Sequence, residues 1–150
     1  MEMGSNNLLK LEEHLCFKVY KSSMLINRAY IPLLKKLDLT YLQYIIMLVL
    51  WEQELILVKD ICKILNIDTG TVSPVLKNLE KKLLINKIRD TKDERKVFIK
   101  ITQKGLLLKS DVSKLQSKMI ELVRKTCNND SNFHIFLDDF NKKLLENIIQ

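Results

Sequence analysis

The chain is predicted to be mainly α-helical with one small β-hairpin, and three observations predict it. Apolar residues recur at helical spacing through most of the 150 positions. Two prolines and three glycines leave few interruptions. One stretch, 84–101, instead reads as two short strand-like runs around a polar turn. Apolar residues make up 47% of the chain, enough for a buried core and too many for a disordered chain.

The elements follow in order. Leu8, Leu11, Leu15, Val19, Ile26, Tyr30, Leu33 and Leu37 fall mostly on one face and predict a long first helix. Pro32 is expected to kink or locally break it. Thr40 followed by Gln43 is a capping-box pattern, so a second helix starts there and runs to about Glu52. It is apolar nearly all round, through Ile45, Ile46, Leu48, Val49, Leu50 and Trp51, and should be central. Residues 58–85 read as two helices joined at Asn66, a residue that tolerates left-handed backbone. Ile61, Cys62 and Leu65 form the inner face of the first, with Cys62 a buried spacer. Val72, Leu76, Leu79 and Leu83 form that of the second.

Strand-like runs 84–89 and 96–101 then flank the polar turn 90–94, with Val97, Ile99 and Ile101 on one face. The hairpin is expected to be packed on one side and wet on the other. Thr102 caps a further helix running to about Lys125. After a polar break at 127–132, Phe133, Leu137, Phe140, Leu144 and Ile148 define a last helix. The terminal helices carry broad apolar faces with no sheet to cover them, so a homodimer is expected. The expected organisation is a single domain over 1–150. About 8–37 and 103–150 form dimerisation helices, and about 40–102 a winged helix-turn-helix.

The formal charge of +7 points to an anionic partner, nucleic acid or a membrane surface. The longest apolar run, 45–51, is far below the ~20 residues a membrane span needs. Residues 1–13 hold no signal-peptide core, so a cytoplasmic protein with reduced thiols and no membrane association is expected. Cys16, Cys62 and Cys127 have neither the number nor the spacing of a disulfide framework or zinc site. His14 and His134 are isolated, and no metal or cofactor is expected.

A helix-turn-helix lays its second helix in the major groove of double-stranded DNA, N-terminal residues foremost. Here those residues are Asp68, Thr69, Gly70, Thr71, Ser73 and Pro74, with Lys77 and Asn78 further along. Hydroxyls suit phosphates and base edges, Gly70 permits close approach, and Pro74 is expected in or near the first turn. The hairpin adds Lys87, Arg89, Lys92, Arg95 and Lys96, with arginine suited to a narrow minor groove. Asp93 stands where it would fix the Arg95 guanidinium. In a lone hairpin these would be ordinary solvated charges; directly after a helix-turn-helix they read as DNA contacts.

Asp93-Glu94-Arg95, followed by Ile101-Thr102 and Gly105, resembles the wing signature of the multiple-antibiotic-resistance (MarR) regulator family. Four further segments resemble its organic-hydroperoxide-resistance branch. They are Leu15-Cys16-Phe17 with Tyr20, Leu39-Thr40-Tyr41 with Gln43-Tyr44, Leu50-Trp51-Glu52, and Asp68-Thr69-Gly70-Thr71 with Pro74 and Leu76-Lys77. The resemblance spans about Leu8 to Gly105 and fades beyond. Asn78 departs from it, standing where relatives often carry a basic residue.

The resemblance implies a repressor, not an enzyme, that leaves its operator when an organic hydroperoxide oxidises Cys16. It also implies that Tyr30 and Tyr41 donate hydrogen bonds to the Cys16 thiolate, with Tyr20 nearby. Cys16 and Tyr20 are four apart and share a helix face. Tyr30 lies fourteen residues on, about 21 Å along one helix, and would have to come from the partner chain. Cys127 precedes a polar segment expected to be mobile, as a resolving cysteine requires. It is either the resolving thiol or a thiol without a role, a low-molecular-weight thiol then serving instead. Competing readings of Cys16 are a small buried helical residue, a repressor gated by an aromatic ligand, and a thiol peroxidase. No recognisable peroxidase motif surrounds Cys16.

Overall fold

The computed structural model of the chain describes residues 10–93, 95–126 and 132–148. A 3-10 turn at Leu11–Glu13 precedes α1 (Leu15–Leu34), so the long first helix is broken at His14, which is extended. Pro32 sits inside α1, two residues before its end, and the chain tightens into a second 3-10 turn at Lys35–Leu37. It reverses at Asp38 in left-handed backbone, φ 52°.

The capping box forms as expected. Thr40 Oγ1 accepts from the Gln43 N–H at 3.3 Å, and Gln43 Oε1 accepts from the Thr40 N–H at 3.1 Å. From it α2 (Tyr41–Glu52) runs through the middle of the core, with Ile46, Met47 and Leu50 wholly buried. Its apolar circumference is covered by Ile61 of α3 (Val58–Leu65) and by Val72, Leu76 and Leu79 of α4 (Thr69–Lys81). Asn66 takes the left-handed turn between α3 and α4 at φ 51°. Cys62 is half-buried rather than enclosed, its Sγ 3.7 Å from Thr69 Oγ1; Ile61 is the wholly buried residue of α3.

Leu83 does not belong to the inner face of α4. The helix ends at Lys81, and Leu83 closes it in left-handed backbone (φ 61°) with its side chain 66% exposed. Leu83 N–H bonds Glu80 C=O and Leu84 N–H bonds Leu79 C=O, so the last turn is satisfied by this reversal. The helical period cannot continue through it, and Leu84 takes the buried place instead.

The hairpin, β2 (Ile85–Arg89) with β3 (Val97–Ile101), is joined by a third strand, β1 (Leu55–Leu57). The antiparallel order is β1-β3-β2, with Ile56 opposite Ile99 and Ile88 opposite Phe98. Strand β1 is three residues long, too short to show alternation, and is a strand because β3 pairs with it.

Helix α5 (Gln103–Thr126) starts against the connection between α4 and β2. Thr102 N–H bonds Leu84 C=O, and its hydroxyl donates to Leu83 C=O at 2.7 Å. A Cβ on Gly105 would collide with the Leu84 carbonyl oxygen and come within 2.8 Å of Ile101 Cγ1. The Gly105 carbonyl accepts from Trp51 Nε1 at 2.9 Å, tying α5 to α2.

The chain forms two compact units, Met1–Val112 and Ser113–Gln150, which α5 spans. The second contains α6 (Asn132–Ile148), where Phe136 and Phe140 stack at 6.1 Å and Ile135, Phe136 and Ile148 stay exposed. In the first, α1 leaves Leu15, Val19, Tyr20, Met24, Leu25 and Ile31 exposed. Among the described residues no helix is long and apolar enough to cross a membrane.

Because backbone rather than a flexible side chain blocks the space, Gly105→Ala is expected to destabilise the protein by about 1–3 kcal/mol. Urea unfolding followed by Trp51 fluorescence measures this, and a loss well under that range would show that α5 moves away freely.

Candidate nucleic-acid interface and thiol site

The start of α4 is built by Asp68. Its carboxylate accepts from the Thr71 N–H at 2.8 Å and from the Thr71 hydroxyl at 2.7 Å. The Thr71 hydroxyl and then the Thr71 N–H hold the Asp68 carboxyl below its ordinary value of 3.8. A Cβ on Gly70 would stand 2.9 Å from Asp68 Oδ1, so glycine keeps this cap unobstructed. Thr71 has committed its hydroxyl proton to the cap and offers a ligand acceptor capacity alone. Pro74 lies in the second turn, not the first, because the Asp68 cap sets Thr69 as the first helical residue. Lacking an N–H, it leaves the Gly70 carbonyl without its ladder bond. Thr69, Gly70, Ser73, Pro74, Lys77 and Asn78 are all exposed on α4.

The wing turn is organised by Asp90, which sequence reasoning passed over as one polar turn residue among five. Its carboxylate accepts from the N–H groups of Lys92 (2.7 Å) and Asp93 (3.0 Å), and these bonds lower its pKa, with the Lys96 charge adding. The expected Asp93 grip on the Arg95 guanidinium is not formed. Asp93 Oδ1 accepts instead from the Arg95 backbone N–H at 3.2 Å, because a two-residue spacing in a tight turn brings the amide closer than the side-chain tip. The Arg95 side chain is left exposed.

Between the two helices and the wing lies a groove of about 1000 Å³. Thr69, Ser73, Lys87, Arg89, Arg95 and Lys96, named from sequence, all line it. So do Lys59 and Lys63, set against one acid, Asp60. Lys59 and Lys63 were missed as site residues; their four-residue spacing on one face of α3 is the signal that marks them. Lys87 is partly committed within the fold, its Nζ 3.6 Å from Glu80 Oε2 and its N–H bonded to Glu80 Oε1 at 3.3 Å. Six cations around hydroxyl-bearing helix residues form a surface suited to a phosphate backbone.

The second site is on α1. Cys16 is exposed in the first helical turn, and Tyr20 is exposed one turn later. Tyr30 is in another place, in a cluster with Tyr41 and Tyr44 whose ring centroids lie 5.0, 5.4 and 6.1 Å apart. Tyr44, buried with its ring beside that of Tyr30, was quoted from sequence as part of a family segment but given no role. Burial, then the neighbouring Tyr30, pushes both the Tyr41 and Tyr44 hydroxyls up, so they are protonated donors at neutral pH. Since α1 is continuous over Leu15–Leu34, Cys16 and Tyr30 of one chain are about 21 Å apart along it and are not brought together. Cys127 and the wing residue Glu94 lie outside the described residues.

A capped recognition helix, a β-wing beside it and a basic groove between them define a winged-helix DNA-binding regulator. Residues 28–112 match the transcriptional regulator SarA/Rot family. The organic hydroperoxide resistance transcriptional regulator of Bacillus subtilis is 41% identical over 118 residues, 79% of this chain and 80% of that protein. Reduced AbfR bound to DNA superposes with a TM-score of 0.73 and 26% identity over 93% of this chain and 96% of that one; AbfR is from Staphylococcus epidermidis. A cysteine-to-serine mutant of Escherichia coli MarR, complexed with operator DNA, has the same fold, with a TM-score of 0.75 and 20% identity over 87% of this chain and 93% of that one. The chain belongs to the MarR family of winged-helix transcription regulators. Members of this family are DNA-binding regulators rather than enzymes.

With its folded pKa below 3.8, Asp68 contributes stability that is fully present above 3.8 and is lost as pH falls through the folded value. Asp68→Asn, still a capping residue, is expected to unfold with a shallower pH dependence below about pH 4 than the wild type. Urea midpoints at neutral and acid pH measure the difference, and parallel curves would remove the carboxylate from the cap.

Proposed function

We propose that the protein is a homodimeric repressor that leaves its operator when an organic hydroperoxide oxidises Cys16. The observation that carries this reading is an exposed cysteine on an exposed apolar helix face, with the tyrosine cluster too far along the same chain to serve it. Pairing two copies through α1 and the terminal helices covers that face. It also offers Cys16 the Tyr30 and Tyr41 hydroxyls of the other subunit, donors that favour the thiolate. Support comes from relatives: the B. subtilis protein is named for organic hydroperoxide resistance, and AbfR has a reduced, DNA-bound form and a disulfide form.

The chemistry balances on sulfur. The thiolate attacks the peroxide, the O–O bond breaks, the alkoxide leaves as an alcohol after taking a proton, and sulfur is oxidised to a sulfenic acid. A second thiol then displaces water and forms a disulfide. That thiol is Cys127 or a low-molecular-weight cellular thiol; an intersubunit Cys16–Cys127 bond gives a covalent dimer on a non-reducing gel, which Cys127→Ser abolishes. On DNA, α4 enters the major groove and Arg95 the adjacent minor groove, with half-sites about one helical turn apart.

Arg95→Ala is expected to weaken operator binding by about 1–3 kcal/mol, measured by fluorescence anisotropy at fixed salt. Unchanged affinity would remove the wing from the interface.

Cys16→Ser is expected to bind DNA as the wild type does and to stay bound when cumene hydroperoxide is added. Release of this variant at the wild-type dose would make Cys16 structural. Tyr30→Phe and Tyr41→Phe should each slow sulfenic acid formation, since each removes one hydroxyl donor.

A further inference from the structure

We propose that Lys82 is a positioning residue that couples the tyrosine cluster to the recognition helix. Lys82 directly follows α4, and its ammonium reaches across to the junction before α2. There it meets three acceptors: the Asp38 carbonyl, Asp38 Oδ2 at 3.1 Å and Gln43 Oε1 at 3.2 Å. Its three donors are thereby all used, with the side chain only 26% exposed. Gln43 is itself buried and holds the Thr40 N–H through the same Oε1. Tyr41 is the residue after Thr40, and its ring is 5.0 Å from that of Tyr30.

The path is therefore short. A shift of Tyr30 or Tyr41 moves the first turn of α2, the first turn carries Gln43, and Gln43 with Asp38 holds the end of α4 through one ammonium. The same helix end is also fixed to α5 by the Lys104 ammonium on the Lys82 carbonyl (2.8 Å) and by Thr102 on Leu83. With α5 as the fixed support, Lys82 is the adjustable one. Asp38 occupies left-handed backbone without glycine, and the Lys82 ammonium on its carbonyl and carboxylate holds it there.

This inference rests on the proposed redox reading, and the experiment separates the two. A duplex selected by the wild-type protein from random sequence is titrated before and after cumene hydroperoxide, with Cys16 sulfenic acid measured in parallel. Lys82→Met keeps the unbranched stem and removes the ammonium; Lys82→Arg keeps the charge. The wild type is expected to lose affinity on oxidation. Lys82→Met should form sulfenic acid at the wild-type rate while its reduced-to-oxidised affinity ratio falls by about tenfold, and Lys82→Arg should recover much of it. Asp38→Gly, which relieves the left-handed strain while removing the carboxylate, should also lower the ratio without loss of folding. A wild-type ratio in folded Lys82→Met or Asp38→Gly overturns the coupling role and leaves the redox reading standing. A wild type that oxidises at Cys16 yet stays bound overturns both.

Discussion

The close approach of α5 to the connection between α4 and β2 is the constraint on which the DNA-binding unit depends. It exists because Gly105 has no side chain where the Leu84 carbonyl passes. Around that contact, Trp51 bonds the Gly105 carbonyl, and Thr102 bonds both Leu83 and Leu84. One crossing point thus fixes the central helix, the end of the recognition helix and the root of the wing. If α5 stood further off, the left-handed reversal at Leu83 would lose its partners, and α4 would no longer be aimed by the same framework that aims β2.

The groove follows from that arrangement. The cations of α3 and those of the wing are separated by more than twenty positions in sequence, and only the packing of α4 between them makes one surface. Its local order comes from carboxylates that bind backbone rather than cations: Asp68 for the helix start, Asp90 and Asp93 for the wing turn. Acids used in this way shape a basic surface while leaving most of its charge free. Glu80 is the exception, since it shares Lys87 and braces the wing on the recognition helix.

The thiol site has a different logic. Tyr30, Tyr41 and Tyr44 form a cluster inside one chain, at the junction that also carries the capping box. Cys16 lies far from it at the other end of α1, among exposed Leu15, Val19 and Tyr20. A straight helix holds its two ends apart as firmly as it holds neighbours together. Cys16 and Tyr30 of one chain are therefore kept apart.

Sequence by itself determined the elements that rest on local rules. The Thr40–Gln43 capping box, the central burial of α2, the left-handed Asn66 and the hairpin are each a matter of residue type at short spacing. The exposed face of α4 and the cations of the wing strands were legible for the same reason, as was the family through its motifs. Tertiary structure decided what depends on distant partners. It made β1 a strand by pairing it with β3, exposed Leu83 by ending α4 before it, and moved Asp93 from the Arg95 side chain to its amide. It brought Lys59 and Lys63 to the wing and Lys82 to Asp38. Periodicity reports which face of an element is apolar; it carries no information about which other element arrives there, and these features are set by that arrival.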